Sequence, residues 1–268
     1  MRGLSINEMT TYRWSFEEDV TRYQAAGIEA IGIWRQKLAD YGEDKAIELL
    51  EHTGLAVSNL LWAGGFTGSC GHTFQEGLAD AKEALLLAAA LKTRHLVVHS
   101  GARNGHTQNH ARRIFITALS ELLPMAEKLD IVLDIEPMHV GCADDWTFLT
   151  SLDEAMGVIR KVNSPYLKLA FDTYHLGHDP QIVAHIAGIA AHVGIVHLAD
   201  SKCVPDREQN RHHLGEGILP LSCIVKSLRQ AGYDGYYDVE LLGEEIERSD
   251  YCQLLECSKR AFEQLGSV

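Results

Sequence analysis

The sequence predicts an α/β fold, a single (β/α)8 TIM barrel over residues 1–268. Three observations predict it. The length of 268 residues suits one large α/β barrel, which occupies about 250 residues as one domain. Eight short, apolar, β-favouring runs alternate with helical patterns, with no linker, repeat or low-complexity stretch between them. The rival fold, an open doubly wound sheet, calls for a GxGxxG turn after its first strand, and none is present.

In chain order the runs are Gly3–Ile6, Ala30–Trp34, Ala56–Trp62, His95–Ser100, Ile131–Pro137, Leu167–Thr173, Gly194–Asp200 and Tyr236–Leu241. Continuous apolar runs of this length suit parallel strands covered on both faces. Ser15 with Glu18, Thr73 with Glu76 and Ser151 with Glu154 fit capping boxes that start helices. Asp179-Pro180 reads as an N-cap followed by proline at the first helical position. Gly27, Gly54 and Gly232 fall where helices should stop. Glu76–Leu91 and Ile114–Leu129 carry apolar residues at helical spacing, a pattern that reads as core rather than cofactor contact. Lys202–Gly217 is polar and irregular, and reads as a long loop after the seventh strand that covers the barrel mouth.

Composition narrows the partners. Hydrophobic residues are 46% and charged residues 23%, enough apolar material for a sizeable core. The formal net charge of −13 repels phosphate backbones, so nucleic acid is not an expected partner. Cys70, Cys142, Cys203, Cys223, Cys252 and Cys257 form no CxxC pair, which suggests reduced thiols in a cytoplasmic protein. The first residues, MRGLSINEMTTYRWSFEED, contain no secretory h-region, and no run approaches the 18 apolar residues of a membrane span. Most of the 14 histidines are expected on the surface or in ordinary hydrogen bonds.

A barrel of this kind carries its site at the C-terminal ends of its strands. Five successive runs end there in an ionisable residue: His99, Glu136 in DIEP, Asp172 in FDTYH, His197 in IVHLADS and Glu240 in DVEL. A carboxylate in an apolar strand costs several kcal/mol unless it is paired or binds a metal. Glu136, Asp172, His197 and Glu240 are therefore expected to hold one divalent metal. Oxygen-rich donors with one imidazole favour Mn²⁺, Mg²⁺ or Co²⁺ over a thiol-loving ion. The competing reading is that some of them make only hydrogen bonds or ion pairs.

These motifs, with EPMH at 136–139, FDTYH at 171–175, VHLADS at 196–201 and NRHHLGEG at 210–217, resemble the sugar phosphate isomerase/epimerase family of xylose isomerase-like TIM barrels. The resemblance spans nearly the whole chain. It implies Glu136, Asp172, His197 and Glu240 as ligands of one divalent metal, Mn²⁺ first, with Mg²⁺, Co²⁺ and Zn²⁺ as alternatives. It implies Glu136 and Glu240 as proton shuttles, and His175 and Arg211 as substrate contacts. A homo-oligomer, dimer or tetramer, is the expected assembly. The endonuclease IV members carry an aspartate before Arg-His-His; here Asn210 stands in that place, which argues against a three-metal cluster and a DNA-repair nuclease.

The expected substrate is a small carbohydrate. A metal polarises its carbonyl, and a carboxylate takes the neighbouring proton. Its return to the same carbon epimerises the sugar, and transfer to the next carbon isomerises it. Loss of a β-substituent makes the enzyme a lyase or dehydratase instead, the second reading. A barrel kept only for binding is a third, and the complete quartet argues against it. Four residues have weaker claims as substrate contacts: His99 and His139 by position, Trp34 and Trp62 as aromatic walls for a sugar ring. Each has packing or rim hydrogen bonding as its alternative. His212 and His213 are left without an assigned role.

Overall fold

In the computed structural model, which describes residues 3–266, eight parallel strands close into a barrel in sequence order. They are β1 (Leu4–Asn7), β2 (Ala30–Trp34), β3 (Ala56–Gly64), β4 (His95–His99), β5 (Val132–Ile135), β6 (Leu167–Asp172), β7 (Val193–Leu198) and β8 (Tyr237–Val239). The barrel closes where β1 pairs with β8 through Ser5 and Asp238. The outer helices are α1 (Phe16–Ala25), α2 (Arg35–Tyr41), α3 (Glu43–Thr53), α4 (Phe74–Ala90), α5 (Gln108–Leu129), α6 (Leu152–Val162), α7 (Thr173–Leu176), α8 (Ile182–Ile189), α9 (Leu221–Gln230), α10 (Glu244–Glu247) and α11 (Tyr251–Gly266).

Local chemistry explains most boundaries. Both arms of the capping box form at Ser15/Glu18 and Thr73/Glu76. At α6 only one arm forms: Ser151 accepts from the Glu154 N–H, while the Glu154 carboxylate turns to Thr150 and Gln108. The expected start at Asp179-Pro180 is corrected. Helix α8 begins at Ile182, and the Asp179 side chain accepts from the Gln181 N–H, so it closes the turn before the helix. Helix α5 starts six residues before the apolar stripe at Ile114, because its first turn is polar and its N-cap, Thr107, makes no side-chain bond.

The main core lies between strands and helices, and a small apolar plug of Leu61, Val97, Ala170 and Ile195 fills the barrel. Buried polar groups surround this plug. Asp238 Oδ2 accepts from Asn7 and Asn59, each at 2.7 Å, and Asp134 Oδ2 lies 2.7 Å from His95 Nδ1. Gly32 and Gly194 make room for these acids. A Cβ there would come within 2.2 Å of Asp238 Oδ2 and 1.8 Å of Asp134 Oδ1.

A second buried network ties the first two units together. Glu8, after β1, accepts from the Trp34 N–H at 2.7 Å, while Lys37 Nζ meets Asp19 Oδ2 at 2.6 Å and the Glu8 carbonyl at 3.1 Å. Burial, aided by the Asp19 charge and opposed by Lys37, raises the Glu8 carboxyl well above its ordinary range. A raised carboxyl stabilises the fold below its unfolded value and loses that contribution as pH rises through the folded value. Glu8→Gln keeps the acceptor for Trp34 and cannot ionise. Its melting temperature is expected to fall less than wild type as pH rises above the ordinary carboxyl range; a steeper fall would show that Glu8 acts as a charge.

Candidate metal centre

Strand register brings the predicted quartet together. Asp172 and His197 are paired neighbours across β6 and β7. Glu136 follows β5 by one residue, its N–H bonded to the Val98 carbonyl, and Glu240 follows β8 by one residue, its N–H bonded to the Leu198 carbonyl. One donor atom from each of Glu136, Asp172, His197 and Glu240 lies within 4.8 Å of the others, and all four residues are buried. Among the described residues this is the one group of that kind. Donors at ~2.1 Å from a common ion stand at most ~4.2 Å apart, so the cluster needs only a small contraction to hold a divalent cation. The His197 ring presents Nδ1 to the cluster, 3.0 Å from both Glu136 Oε1 and Glu240 Oε2.

Charge is unevenly distributed. At Glu136 burial works upward, but His197 and His99 overcome it and hold the carboxyl well below its usual range. Burial raises Asp172 and Glu240, against the pull of Arg211. At His197 burial opposes protonation, yet Glu240 and Glu136 push the imidazole up to about 10. Asp172 divides its oxygens: Oδ1 caps the single-turn helix α7 through the Tyr174 N–H at 2.6 Å, which leaves Oδ2 for the cluster.

The expected long loop runs from β7 to α9, and Asp200 organises it. Its carboxylate accepts four backbone N–H groups, from Ser201 at 2.8 Å, Gly215 and Gly217 at 3.0 Å and Leu219 at 3.1 Å. An antiparallel bridge between Asp200 and His212 then holds Arg211 over the cluster. Arg211 is buried, with Nη1 2.8 Å from Asp172 Oδ2 and Nη2 3.4 Å from Glu240 Oε1. This arginine thus pairs with two of the predicted ligands, and it also bonds Gln209 and lies over the Tyr174 ring.

A family model described as xylose isomerase-like TIM barrel matches residues 20–261. The chain belongs to that family. It is 29% identical over 140 residues to the L-ribulose-5-phosphate 3-epimerase UlaE of Escherichia coli strain K12, a match covering 52% of this chain and 46% of that protein. The chain thus matches about half the length of its curated relatives. Protein SMc04130 from Sinorhizobium meliloti 1021 superposes with a TM-score of 0.89 at 25% identity over 98% of both chains. The zinc-bound IOLI protein superposes at 0.85 with 18% identity, covering 100% of this chain and 98% of that one, a likeness of fold.

Within this family barrel the remaining candidates divide. His99 reaches the cluster, its Nε2 2.7 Å from Glu136 Oε2. His175 is buried beside it, with Nε2 3.8 Å from Asp172 Oδ2 and Nδ1 3.7 Å from Cys142 Sγ. His139 makes loop contacts instead: its Nδ1 accepts from the Gly141 N–H, and its ring packs edge-on against His178. Trp62 stacks on His99 at 5.6 Å, whereas Trp34 stacks on Tyr12 at 5.7 Å. His212 and His213 are outside the ligand group. Sequence reasoning passed over Trp146, which stands edge-on to both Trp62 and His99, and the loop role of Asp200. Asp200→Ala is expected to cost roughly 2–4 kcal/mol in denaturant unfolding, through the loss of several charge-assisted bonds, and to expose 202–217 to proteolysis. Unchanged stability and cleavage would remove Asp200 as the loop's organiser.

Proposed function

We propose that the chain is a metal-dependent sugar isomerase or epimerase that moves a proton beside the carbonyl of a polyhydroxylated ketose. One observation carries the reading: three carboxylates and one imidazole converge, buried, at the C-terminal mouth of the barrel, with donor atoms within 4.8 Å of one another. The partial match to an L-ribulose-5-phosphate 3-epimerase supports the same chemistry. Glu136, Asp172, His197 and Glu240 would hold the ion, and their oxygen-rich donor set favours Mn²⁺. When bound, that ion supplies polarisation of a carbonyl.

The chain's own groups supply the rest. Glu136 and Glu240 flank His197 Nδ1 at 3.0 Å each, so a sugar seated at the cluster meets a carboxylate from either residue. Burial raises Glu240, which favours it as the base, while His197 and His99 hold Glu136 low, which favours it as a ligand. His99 holds Glu136 in place, and Arg211 and His175 offer donors beside Asp172.

The test is exchange in D₂O with a panel of ketoses and added Mn²⁺. A product of unchanged skeleton with one deuteron beside the carbonyl is expected. Glu240→Gln and Glu136→Gln should each lower the rate by about 10²–10⁴-fold, the usual worth of a positioned acid or base. Absence of exchange, or a product lighter by water or an alcohol, would overturn the reading, the latter in favour of elimination.

A further inference from the structure

Beside the metal centre lies a cavity of about 470 Å³, within the usual ~300–1,000 Å³ of small-molecule sites. It begins one imidazole away from the cluster, because His99, bonded to Glu136, forms part of its wall. Three rings make that wall: Trp62 stacks on His99 at 27°, and Trp146 stands at 84° to Trp62 and 80° to His99, with centroids 5.1 and 5.8 Å away. The box is held in place. The Trp146 carbonyl accepts from the Gly101 N–H at 3.0 Å, and the next residue, Thr147, bonds Ser100 through its hydroxyl at 2.8 Å.

The opposite wall is polar. Ser69, Cys70 and His72 come from the loop after β3, Asp80 from α4 and Asp145 from the loop after β5. Arg35 is the one Lys or Arg among the described lining residues, and it is already engaged. Its Nη1 and Nη2 hold Asp80 at 2.9 and 2.8 Å, and Nη1 also donates to the Trp62 carbonyl at 3.1 Å. Two carboxylates and one committed guanidinium leave the lining without a free Lys or Arg, the side chains that most often pair with a phosphoryl group. Aromatic faces beside hydroxyl and carboxylate oxygens suit a neutral hydroxylated ring, which offers C–H faces to stack and O–H groups to donate.

We propose that this cavity is a second sugar subsite. It takes an uncharged glycosyl ring joined to the reacting ketose, so the substrate class is a ketose glycoside rather than a phosphorylated ketose. The proposal rests on the metal-centre reading for the seat of the reacting sugar, while the chemistry of the cavity stands on its own lining.

The experiment compares ketoses that differ only in substituent. Tryptophan fluorescence of the Mn²⁺-loaded full chain is titrated with fructose, with its glucosyl derivatives isomaltulose and turanose, and with fructose 6-phosphate. At least one glucosyl derivative is expected to bind about tenfold tighter than fructose, the worth of one or two ring contacts, and the phosphate no tighter. Trp146→Ala should erase that gain and leave fructose binding as it was. In parallel, iodoacetamide labelling of exposed Cys70, read by peptide mass mapping of the wild-type chain, should slow in the tighter disaccharide and not in fructose 6-phosphate. That arm holds even if the Trp146 variant fails to fold. Tighter binding of the phosphate, absence of any disaccharide gain, unchanged Cys70 labelling, or a gain that survives in folded Trp146→Ala would overturn the subsite. Failure of deuterium exchange would sink the isomerase reading alone, because neither binding readout depends on turnover.

Discussion

Three carboxylates buried at one end of a barrel form the constraint on which the site depends. Glu136, Asp172 and Glu240 are brought together by strand register, Asp172 within β6 and the two glutamates one residue past β5 and β8. Buried like charges repel strongly, and each loses its hydration. Positive charge has to answer them. His197 supplies part, between two glutamates, and Arg211 supplies more, across Asp172 and Glu240. The donor set and its spacing, within 4.8 Å, would suit a divalent cation.

The constraint spreads outward. Arg211 comes from a loop, and a buried arginine on a loop needs that loop to be held. Asp200 holds it with four backbone N–H groups, so one acid outside the cluster places the guanidinium that pairs with two of the three acids inside it. Inward, Asp134 and Asp238 add further buried acids, each with Oδ2 bonded to side-chain groups and each given room by a glycine two strands away around the barrel. The barrel interior is therefore polar around a small apolar plug, whereas the outer core is mainly apolar, broken by the Glu8–Asp19–Lys37 network. Stability comes from the outer layer, and the inner one is shaped by charge.

Much of this was legible in the sequence. Parallel strands covered on both faces leave continuous apolar runs, and each predicted run overlaps an observed strand. The quartet was legible because an ionisable residue that closes such a run is costly to bury unless it is paired or binds a metal. Other features left no such trace. The start of α5 carries no side-chain cap, and Asp179 closes a turn where a helix start was expected. Trp146 is one aromatic in an irregular loop, and its meeting with Trp62 and His99 depends on a bridge between distant loops. Asp200 sat inside a recognised motif, yet four backbone bonds have no side-chain signature. The grip of Arg211 on two ligand carboxylates is likewise long-range, set by the fold rather than by neighbours in sequence.

The most direct measurement is the number of divalent ions retained per chain after equilibration with Mn²⁺ and exhaustive dialysis, in wild type and in Asp172→Asn. Asp172 is the choice because its Oδ1 cap on α7 can survive as an amide oxygen while the charge at Oδ2 is lost. One ion per wild-type chain, and a large loss in the variant, is the result that a four-residue cation site predicts. No retained ion in the wild type, or equal retention in both, would contradict it.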